Sequence, residues 1–414
     1  METLITGNSF DRLKELPDNS VGALVTDPPY LINFLGNDWD KKNSPAADPE
    51  FWKLVLQKLK PGAHGLVFGH SRQHHRVMVA LEDAGFEIRD VMMWMYGQGF
   101  PKNHNVGKAV DKLQGNSRTV IGTKADFSLD GAKRKAENHQ THQETDNAGH
   151  KPGYKKGWDT EVSVGSSAWE GWGTALKPAY EPIIMVRKPL EKKLTVAKNC
   201  LKHGVGAINI DDSKIAATDK NKFPVGDYTT DTTVGKIRPT TRTADPDPQK
   251  RYPANIILDE KAGEILNEQA PQVGSLFKAT RKKDTTGGTG HSWTNAGKRT
   301  GEDNGLHDGL GGAARFFYCA KISSKERNWG MGKDKNSHPT VKPISLMNYL
   351  VRLIAPKGET VLDPFMGSGS TGMACVLNDN NFIGIDMDQN YVEVSKHRIN
   401  YVRENKEKIK NGLL

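Results

Sequence analysis

The chain has few cysteines and no long apolar run, and these two absences exclude several classes of protein. Its three cysteines, Cys200, Cys319 and Cys375, lie far apart and have no spacing typical of a zinc ligand set. The sequence therefore predicts neither a disulfide framework nor a metal site, and it favours a reducing cytoplasm. No stretch of about 18 or more apolar residues occurs, and the residues after Met1 do not resemble a secretion signal. We therefore expect neither secretion nor a membrane partner.

An acidic excess is also absent. The chain carries 58 Lys and Arg residues against 49 Asp and Glu residues, a formal net charge of +9. A modest basic excess is common in soluble proteins, but it also favours a polyanionic partner such as nucleic acid. Because 414 residues are too many for one ordinary core, we expect two packing units, or one core with a large insertion.

The pattern at both ends of the chain predicts a mostly parallel sheet with helices on both faces. Apolar runs and helical spacing alternate there, which is typical of βα units. The predicted strands are 3–6, 21–26, 66–68, 91–96, 360–363 and 382–386, and the predicted helices are 10–16, 51–59, 76–84, 344–355, 372–377 and 391–407.

The middle of the chain is polar and rich in Gly, Lys, Asp and Thr. Strands are predicted at 182–186, 207–210, 255–258 and 315–320, with a helix at 194–201 that ends at Gly204. We interpret this part as an inserted, loop-rich module, parts of which order only on binding.

A short motif follows the apolar strand at 21–26. The tetrapeptide Asp27-Pro28-Pro29-Tyr30 places a carboxylate, a rigid turn and an aromatic ring at the carboxyl end of that strand. Asp-Pro and Pro-Pro pairs are also ordinary turn formers, so by itself the motif fits either a structural turn or a site.

A glycine-rich segment joins the predicted strand 360–363 to the helix that follows it. Residues 363–371 read Asp-Pro-Phe-Met-Gly-Ser-Gly-Ser-Thr, and glycines at such a turn let backbone N–H groups approach a ligand closely. The spacing is neither G-x-G-x-x-G nor a P-loop. Asp386 ends the next strand, where a ribose-binding carboxylate lies in βαβ nucleotide sites. The alternative is a tight structural turn with an unrelated acid.

Together the two clusters resemble the amino-methyltransferases that modify DNA, in the β arrangement where the catalytic motif precedes the cofactor motif. Residues 27–30 match the family's catalytic motif, residues 363–371 its cofactor loop, and His338-Pro-Thr-Val-Lys-Pro343 the segment before the cofactor strand. The resemblance covers roughly 1–104, 174–189 and 336–414. It implies an α/β, three-layer, Rossmann-like fold that depends on S-adenosylmethionine, is circularly permuted and carries a large target-recognition insertion.

The resemblance also implies roles for individual residues. It assigns catalysis to Asp27, Pro28, Pro29 and Tyr30, and it requires no metal. Asn8 and Asp386 depart from the family pattern, which commonly has Asp at the first position and often Glu at the second. The residues implied to bind the cofactor are Asn8, His338, Thr340, Lys342, Asp363, Phe365, Gly367, Ser368, Gly369, Ser370, Thr371 and Asp386.

Elementary chemistry agrees with these roles. The nitrogen of an exocyclic amino group is a poor nucleophile because its lone pair is delocalised into the ring. A carboxylate such as Asp27 can accept a hydrogen bond from one N–H, and the Pro28 carbonyl can accept one from the other, which turns the lone pair toward a sulfonium methyl group. Tyr30 can stack on the base.

Five segments follow from this interpretation. Residues 1–104 form the catalytic half of the core, 105–173 a basic insertion, 174–189 a core hairpin strand, 190–335 the target-recognition module and 336–414 the cofactor-binding half. The partner is double-stranded DNA, whose target base must flip out of the helix. A local basic cluster predicts phosphate contacts by Lys278, Arg281, Lys282, Lys283, Lys298 and Arg299, unless the segment is a solvated loop.

The first hypothesis is therefore a DNA adenine-N6 methyltransferase of a prokaryote or its phage. Cytosine-N4 methylation is the near alternative because the mechanism is shared, although Asp at the first motif position is commoner among adenine enzymes. A DNA-binding protein with an inactive core and an amino-methyltransferase of RNA or protein are further alternatives. The sequence leaves open the recognised DNA sequence, a homodimer and a cognate restriction endonuclease.

Overall fold

A computed structural model describes most of the chain: residues 1–32, 40, 44–97, 99, 103–123, 161–216, 226–230, 237–241, 250–270, 312–321, 323 and 325–412. The chain divides into two compact units, one made of Met1–Gln98 with Ala179–Leu414 and the other of Gly99–Pro178.

The described residues form fifteen strands, nine of which make one large sheet in the first unit. The strands are β1 Glu2–Thr6, β2 Val21–Thr26, β3 Leu59–Phe68, β4 Glu87–Met95, β5 Thr119–Thr123, β6 Glu161–Val164, β7 Tyr180–Arg187, β8 Ile215–Ala216, β9 Gly226–Thr230, β10 Ile237–Thr241, β11 Lys250–Arg251, β12 Ile256–Asp259, β13 Tyr318–Ala320, β14 Thr360–Asp363 and β15 Asn381–Asp386. The large sheet has the order β1-β15-β14-β2-β3-β7-β4-β12-β13. All neighbours in it are parallel except β7, which is antiparallel to both β3 and β4. The predicted mostly parallel α/β fold is confirmed.

Helices of the first unit cover both faces of this sheet. The helices of the described chain are α1 Ser9–Lys14, α2 Pro49–Lys58, α3 His74–Asp83, α4 Val106–Gln114, α5 Val196–His203, α6 Ile210–Ser213, α7 Glu260–Gln269, α8 Ile344–Ile354, α9 Ser370–Leu377, α10 Gln389–Glu404 and α11 Lys406–Lys410, with 3₁₀ turns at Pro45–Ala47, Ala313–Phe316 and Glu326–Asn328.

Two apolar cores follow from the alternation of side chains along the strands. On β2, Ala23 and Val25 belong to the core beneath α8, α9 and α10, whereas Leu24 on the opposite face belongs to the core beneath α1, α2 and α3. Because successive residues of a strand point to opposite faces, a strand buried on both sides reads as a continuous apolar run. That is why β2 could be predicted from its composition alone.

The strand order reverses between β14 and β2. From β14 the chain passes through α9 to β15 on one side, and from β2 it passes through α2 to β3 on the other. The carboxyl ends of β14 and β2 are therefore neighbours at a topological switch point, where open α/β sheets bind ligands.

Two predictions of local structure were wrong. Residues 207–210 form no strand, because Asn209 instead caps the short helix α6 and donates its backbone N–H to the Leu353 carbonyl at 2.8 Å. The predicted strand 315–320 is shorter, since a 3₁₀ turn at Ala313–Phe316 precedes β13. Gly204 does end α5, with a left-handed φ of 76°.

The second unit is small. Its helix α4 and its strand pair β5 and β6 are tied together by Arg118, whose guanidinium donates to Asp111 on α4 and, at 2.7 Å, to the Ser163 carbonyl on β6. In the first unit, short antiparallel pairs β8–β11 and β9–β10 accompany the main sheet. Strands β12 and β13, which come from the predicted target-recognition module, belong to the main sheet itself.

Within the described ranges, no helix is long and apolar enough to cross a membrane.

Candidate active site

The two motifs of the sequence meet at the switch point. Leu362 on β14 pairs with Leu24 on β2, and each strand ends at its motif carboxylate or one residue before it. Asp363 is the last residue of β14, and Asp27 directly follows β2. Residues more than 330 positions apart in sequence are brought together in this way: the Thr26 hydroxyl donates to Asp363 Oδ1 at 2.7 Å across a sequence separation of 337.

Asp27 takes part in a cluster of four charged or polar side chains. Lys342 Nζ lies 2.6 Å from Asp27 Oδ2 and 3.2 Å from Glu181 Oε2. Nζ also donates to the Tyr30 hydroxyl at 2.9 Å, and that hydroxyl donates to Glu181 at 2.8 Å. The four groups come from three separate parts of the chain, which only the sheet topology unites.

The cluster keeps Lys342 charged although its side chain is only 8% exposed. Burial lowers the pKa of Lys342, but the carboxylates of Asp27 and Glu181 outweigh burial, so the net shift is upward. The rings of Phe68 and Tyr30 lie 4.9 and 5.2 Å from the ammonium and add a cation–π contact. Burial, together with the same two carboxylates, raises the pKa of Tyr30, which therefore stays a neutral phenol.

The second oxygen of Asp27 has a different environment. Oδ1 is buried and accepts no hydrogen bond from any group in the described part of the chain. Buried carboxylate oxygens are normally hydrogen-bonded, so this atom is a candidate acceptor for a donor group of a substrate.

The turn after the motif is held in an unusual conformation. Leu31 has a left-handed φ of 61°, which costs free energy for a residue with a side chain. The buried carboxylate of Asp40 offsets this cost by accepting the backbone N–H groups of Leu31 at 2.8 Å and Ile32 at 3.3 Å. Asp40 thereby fixes the backbone that carries Tyr30.

Asp363 holds the glycine-rich loop from inside. Its two oxygens accept hydrogen bonds from the hydroxyls of Thr26 and Thr371 and from the Phe365 N–H. Burial raises the pKa of Asp363 to about 6 in spite of these bonds. Asp363 and Thr371 are each 2% exposed. They therefore support the loop through hydrogen bonds on its buried side.

The glycines of the loop allow close contacts with the segment 338–343 and with α10. Gly367 has a φ of 53°, and a Cβ there would lie 2.7 Å from His338 Nε2. Gly369 has a φ of 78°, and a Cβ would lie 2.8 Å from the side chain of Ser395. The Ser395 hydroxyl donates to the Gly367 carbonyl at 2.9 Å, so α10 fixes the loop from the other side.

Two basic groups beside the loop, one buried and one half-buried, were partly missed by sequence reasoning. Arg398 on α10 is fully buried and donates to the Ser368 hydroxyl at 2.9 Å, and burial lowers its pKa to about 10. His338 packs edge-on against Tyr391 with ring centroids 4.6 Å apart, and burial lowers its pKa to about 4, so it is neutral near pH 7. A basic helix gives no sequence signal for which arginine points inward.

The acid at the end of β15 lies beside this loop. Asp386 accepts the Gly367 N–H at 2.8 Å and the Asp388 N–H at 2.9 Å, and its side chain is only partly buried. Burial raises its pKa. Asn8, just beyond the parallel neighbour β1, caps α1 by accepting the Phe10 N–H at 2.9 Å. A part-exposed carboxylate next to a glycine turn fits the ribose end of a nucleoside-containing cofactor.

The remaining predicted residues are placed as follows. Phe365 packs on the rings of Phe51 and Trp52 with centroids 5.2 and 6.5 Å away. Thr340 is exposed, and Ser370 opens α9. The six residues predicted to contact DNA, Lys278, Arg281, Lys282, Lys283, Lys298 and Arg299, lie outside the described residues.

Glu181 is the main site residue that sequence reasoning missed. It lies on β7 and pairs across the sheet with Trp94 on β4, which is buried with its Nε1 lacking a hydrogen-bond partner among the described groups. The resemblance implies a core hairpin strand at 174–189, but it gives no role for the acid of that strand. The described side chains include no cluster of three or more His, Cys, Asp or Glu residues that could hold a metal ion.

Comparisons with known proteins identify the family of the chain. The family model described as DNA methylase, of the N6/N4 methyltransferases, matches residues 21–397. The chain therefore belongs to the N6/N4 DNA methylase family. Family membership supports the expected cofactor, S-adenosylmethionine.

Individual relatives are similar to different extents. The type II methyltransferase M.HindIII of Haemophilus influenzae is 20% identical over 98% of this chain and 97% of its own length. The type II methyltransferase M2.MboI of Moraxella bovis is 44% identical, but only over 16% of this chain and 24% of its own length. The chain thus matches about a quarter of the second relative.

Among solved structures, the complex of M1.HpyAVI with SAM is 15% identical, with a TM-score of 0.37 over 96% of this chain and 100% of the other. The PvuII DNA methyltransferase, described as cytosine-N4-specific, is 13% identical, with a TM-score of 0.40 over 99% of this chain and 93% of the other.

Proposed function

We propose that the protein transfers a methyl group from S-adenosylmethionine to the N6 amino group of a flipped adenine in double-stranded DNA. The observation that carries this proposal is Asp27 Oδ1, a buried oxygen that has no hydrogen-bond partner among the described residues and lies next to a glycine-rich loop at the switch point of the sheet. A hydrogen-bond acceptor of this kind matches an N–H of an exocyclic amino group.

The proposed catalytic residues follow β2, and the proposed cofactor-binding loop follows the neighbouring strand β14. Asp27 accepts a hydrogen bond from one N–H of the target amino group and thereby draws electron density onto the amino nitrogen. Tyr30 stacks on the base. The loop 367–371 and Asp386 bind the cofactor, which supplies an electrophilic methyl group on a sulfonium when bound. Neither a covalent intermediate nor a metal ion enters the scheme.

Adenine is preferred over cytosine because the motif begins with Asp, which is the residue commoner among the adenine enzymes that the sequence resembles. The segment 190–335 and its basic residues are proposed to select the DNA sequence. A cognate restriction endonuclease, a homodimer and a cytoplasmic location are further parts of the same proposal.

A transfer assay with purified protein tests the proposal. Duplex DNA, RNA and protein are offered with S-adenosylmethionine labelled in its methyl group, and digested DNA is separated into nucleosides. Label should appear in N6-methyladenine with the wild type and be lost with Asp27→Ala. The matched control is Asp83→Ala, an exposed carboxylate at the end of α3 and at the opposite edge of the sheet. Label in N4-methylcytosine, in RNA or in protein would contradict the proposal.

A further inference from the structure

The ammonium group of Lys342 has as many oxygen neighbours as it has N–H groups. A lysine ammonium donates three hydrogen bonds, and Nζ lies 2.6 Å from Asp27 Oδ2, 2.9 Å from the Tyr30 hydroxyl and 3.2 Å from Glu181 Oε2. These three contacts use every donor of the ammonium and leave none for the cofactor, to which the resemblance assigned Lys342. The lysine therefore acts on the methyl-acceptor side of the site.

The same contacts distinguish the two oxygens of Asp27. Oδ2 is occupied by Lys342, whereas Oδ1 is buried without a partner among the described residues. A carboxylate fixed through one oxygen cannot rotate freely, so the direction in which the other oxygen points is determined before any substrate arrives. Such preorganisation matters because misplacement of a catalytic group by about 1 Å can cost a hundredfold in rate.

Glu181 completes the arrangement. Its carboxylate approaches Lys342 and accepts the Tyr30 hydroxyl at 2.8 Å, so it holds the two side chains that border Asp27. The formal charges of two carboxylates and one ammonium sum to −1. A net negative charge favours the positive charge that develops on an amino nitrogen as it is methylated.

We propose that Lys342 and Glu181 are positioning residues for Asp27: Lys342 holds Oδ2, Glu181 holds Lys342, and Oδ1 is thereby aimed at the amino group of the target base. This inference rests on the proposed function and assigns a role to Glu181 in the same site.

The test measures kcat for methyl transfer and, separately, the affinity for S-adenosylmethionine by calorimetry. Lys342→Met should lower kcat about a hundredfold and leave cofactor affinity within twofold of the wild type. Lys342→Arg should restore part of the rate, because it keeps the charge. Glu181→Gln should lower kcat on the order of tenfold, since Lys342 keeps two of its three partners.

The double variant Glu181→Gln/Lys342→Met decides whether Glu181 acts through the lysine. If it does, the double variant should have the kcat of Lys342→Met alone, because effects of residues that act as a unit do not multiply. A product of the two single effects would mean that Glu181 acts independently and would overturn that part. The matched control is Lys60→Met, which breaks the Lys60–Glu359 ion pair of 2.7 Å at the opposite edge of the sheet and should leave kcat unchanged.

The other outcomes are also decisive. If Lys342→Met binds the cofactor more weakly and keeps the kcat of the wild type, the lysine is a cofactor-binding residue and the positioning role is refuted. If Lys342→Met does not fold, Glu181→Gln alone decides, and an unchanged kcat refutes the inference. A wild type that methylates no DNA would refute the proposed function, whereas an active wild type with unaffected variants would refute only the positioning role.

Discussion

Replacement of Asp27 by Asn gives a test in which shape is retained and only one donor–acceptor relation changes. The Asn side chain has one carbonyl oxygen and one NH₂ group in place of two equivalent oxygens. Lys342 Nζ lies 2.6 Å from one of these positions, and an NH₂ group so close to an ammonium would be repelled. The carbonyl of the Asp27→Asn variant should therefore face Lys342, and its NH₂ group should face the substrate.

The expected magnitude follows from this orientation. An NH₂ group cannot accept the N–H of an amino nitrogen, so the variant loses the acceptor as completely as Asp27→Ala does. Loss of one preorganised hydrogen-bonding group in an active site costs about a hundredfold to a thousandfold in kcat, or about 3–4 kcal/mol. Cofactor affinity should stay the same, because no contact among the described residues joins Asp27 to the loop 367–371 or to Asp386.

The assay is single-turnover methyl transfer to duplex DNA, combined with calorimetry of S-adenosylmethionine binding. In the background of Lys342→Met, the amide of Asp27→Asn is free to turn its carbonyl toward the substrate, so the double variant should be more active than Asp27→Asn alone. Near-wild-type kcat for Asp27→Asn, or a double variant that is less active still, would refute the reasoning from the Lys342 contact.

Three further predictions concern the loop, pH and DNA. Gly367→Ala should weaken cofactor binding in calorimetry, because its Cβ would meet His338 Nε2 at 2.7 Å at a φ of 53°; unchanged affinity would count against the loop as the cofactor site. Since the pKa of Asp363 is raised to about 6 from 3.8, its protonated form is favoured by folding. The protonated carboxyl stabilises the folded wild type fully below about pH 4, and this stabilisation is lost as pH rises through 6. The side chain of the Asp363→Asn variant does not titrate. Its free energy of unfolding should therefore rise relative to that of the wild type by up to about 3 kcal/mol between pH 4 and pH 6. Urea unfolding at a series of pH values measures it, and a difference that does not change with pH would be contrary to the assignment. Finally, replacement of four basic residues by Ala should lower the affinity for duplex DNA; the four are Lys282, Lys283, Lys298 and Arg299. The slope of the logarithm of the binding constant against the logarithm of the salt concentration should fall by up to ~0.9 per phosphate contact. An unchanged slope would favour a solvated loop.

The sequence was most informative where one segment determines its own structure. The apolar run 21–26 is buried on both faces of the sheet, so its composition alone indicated a central strand. Asp27 and Asp363 could be located in the same way, because each lies at the end of a predicted strand and the carboxyl ends of parallel strands share one edge of the sheet.

Contacts that depend on strand order could not be predicted in this way. Glu181 lies beside Lys342 because β7 pairs antiparallel with both β3 and β4, and no local pattern indicates that β3 is its second neighbour. The apolar residues around Ile208 looked like a strand, but this segment packs on the core without strand partners. Arg398 is one of several basic residues on a helix, and only tertiary packing selects it for burial beside Ser368.

The measurement that tests the central claim most directly is modification-sensitive sequencing of genomic DNA from cells that lack DNA methylation of their own and express either the wild type or Asp27→Ala. The wild type should place N6-methyladenine at one recurring sequence, and Asp27→Ala should leave that sequence unmodified. N4-methylcytosine with the wild type would contradict the adenine assignment. Equal modification by both proteins would contradict the role of Asp27 as the acceptor that activates the amino group.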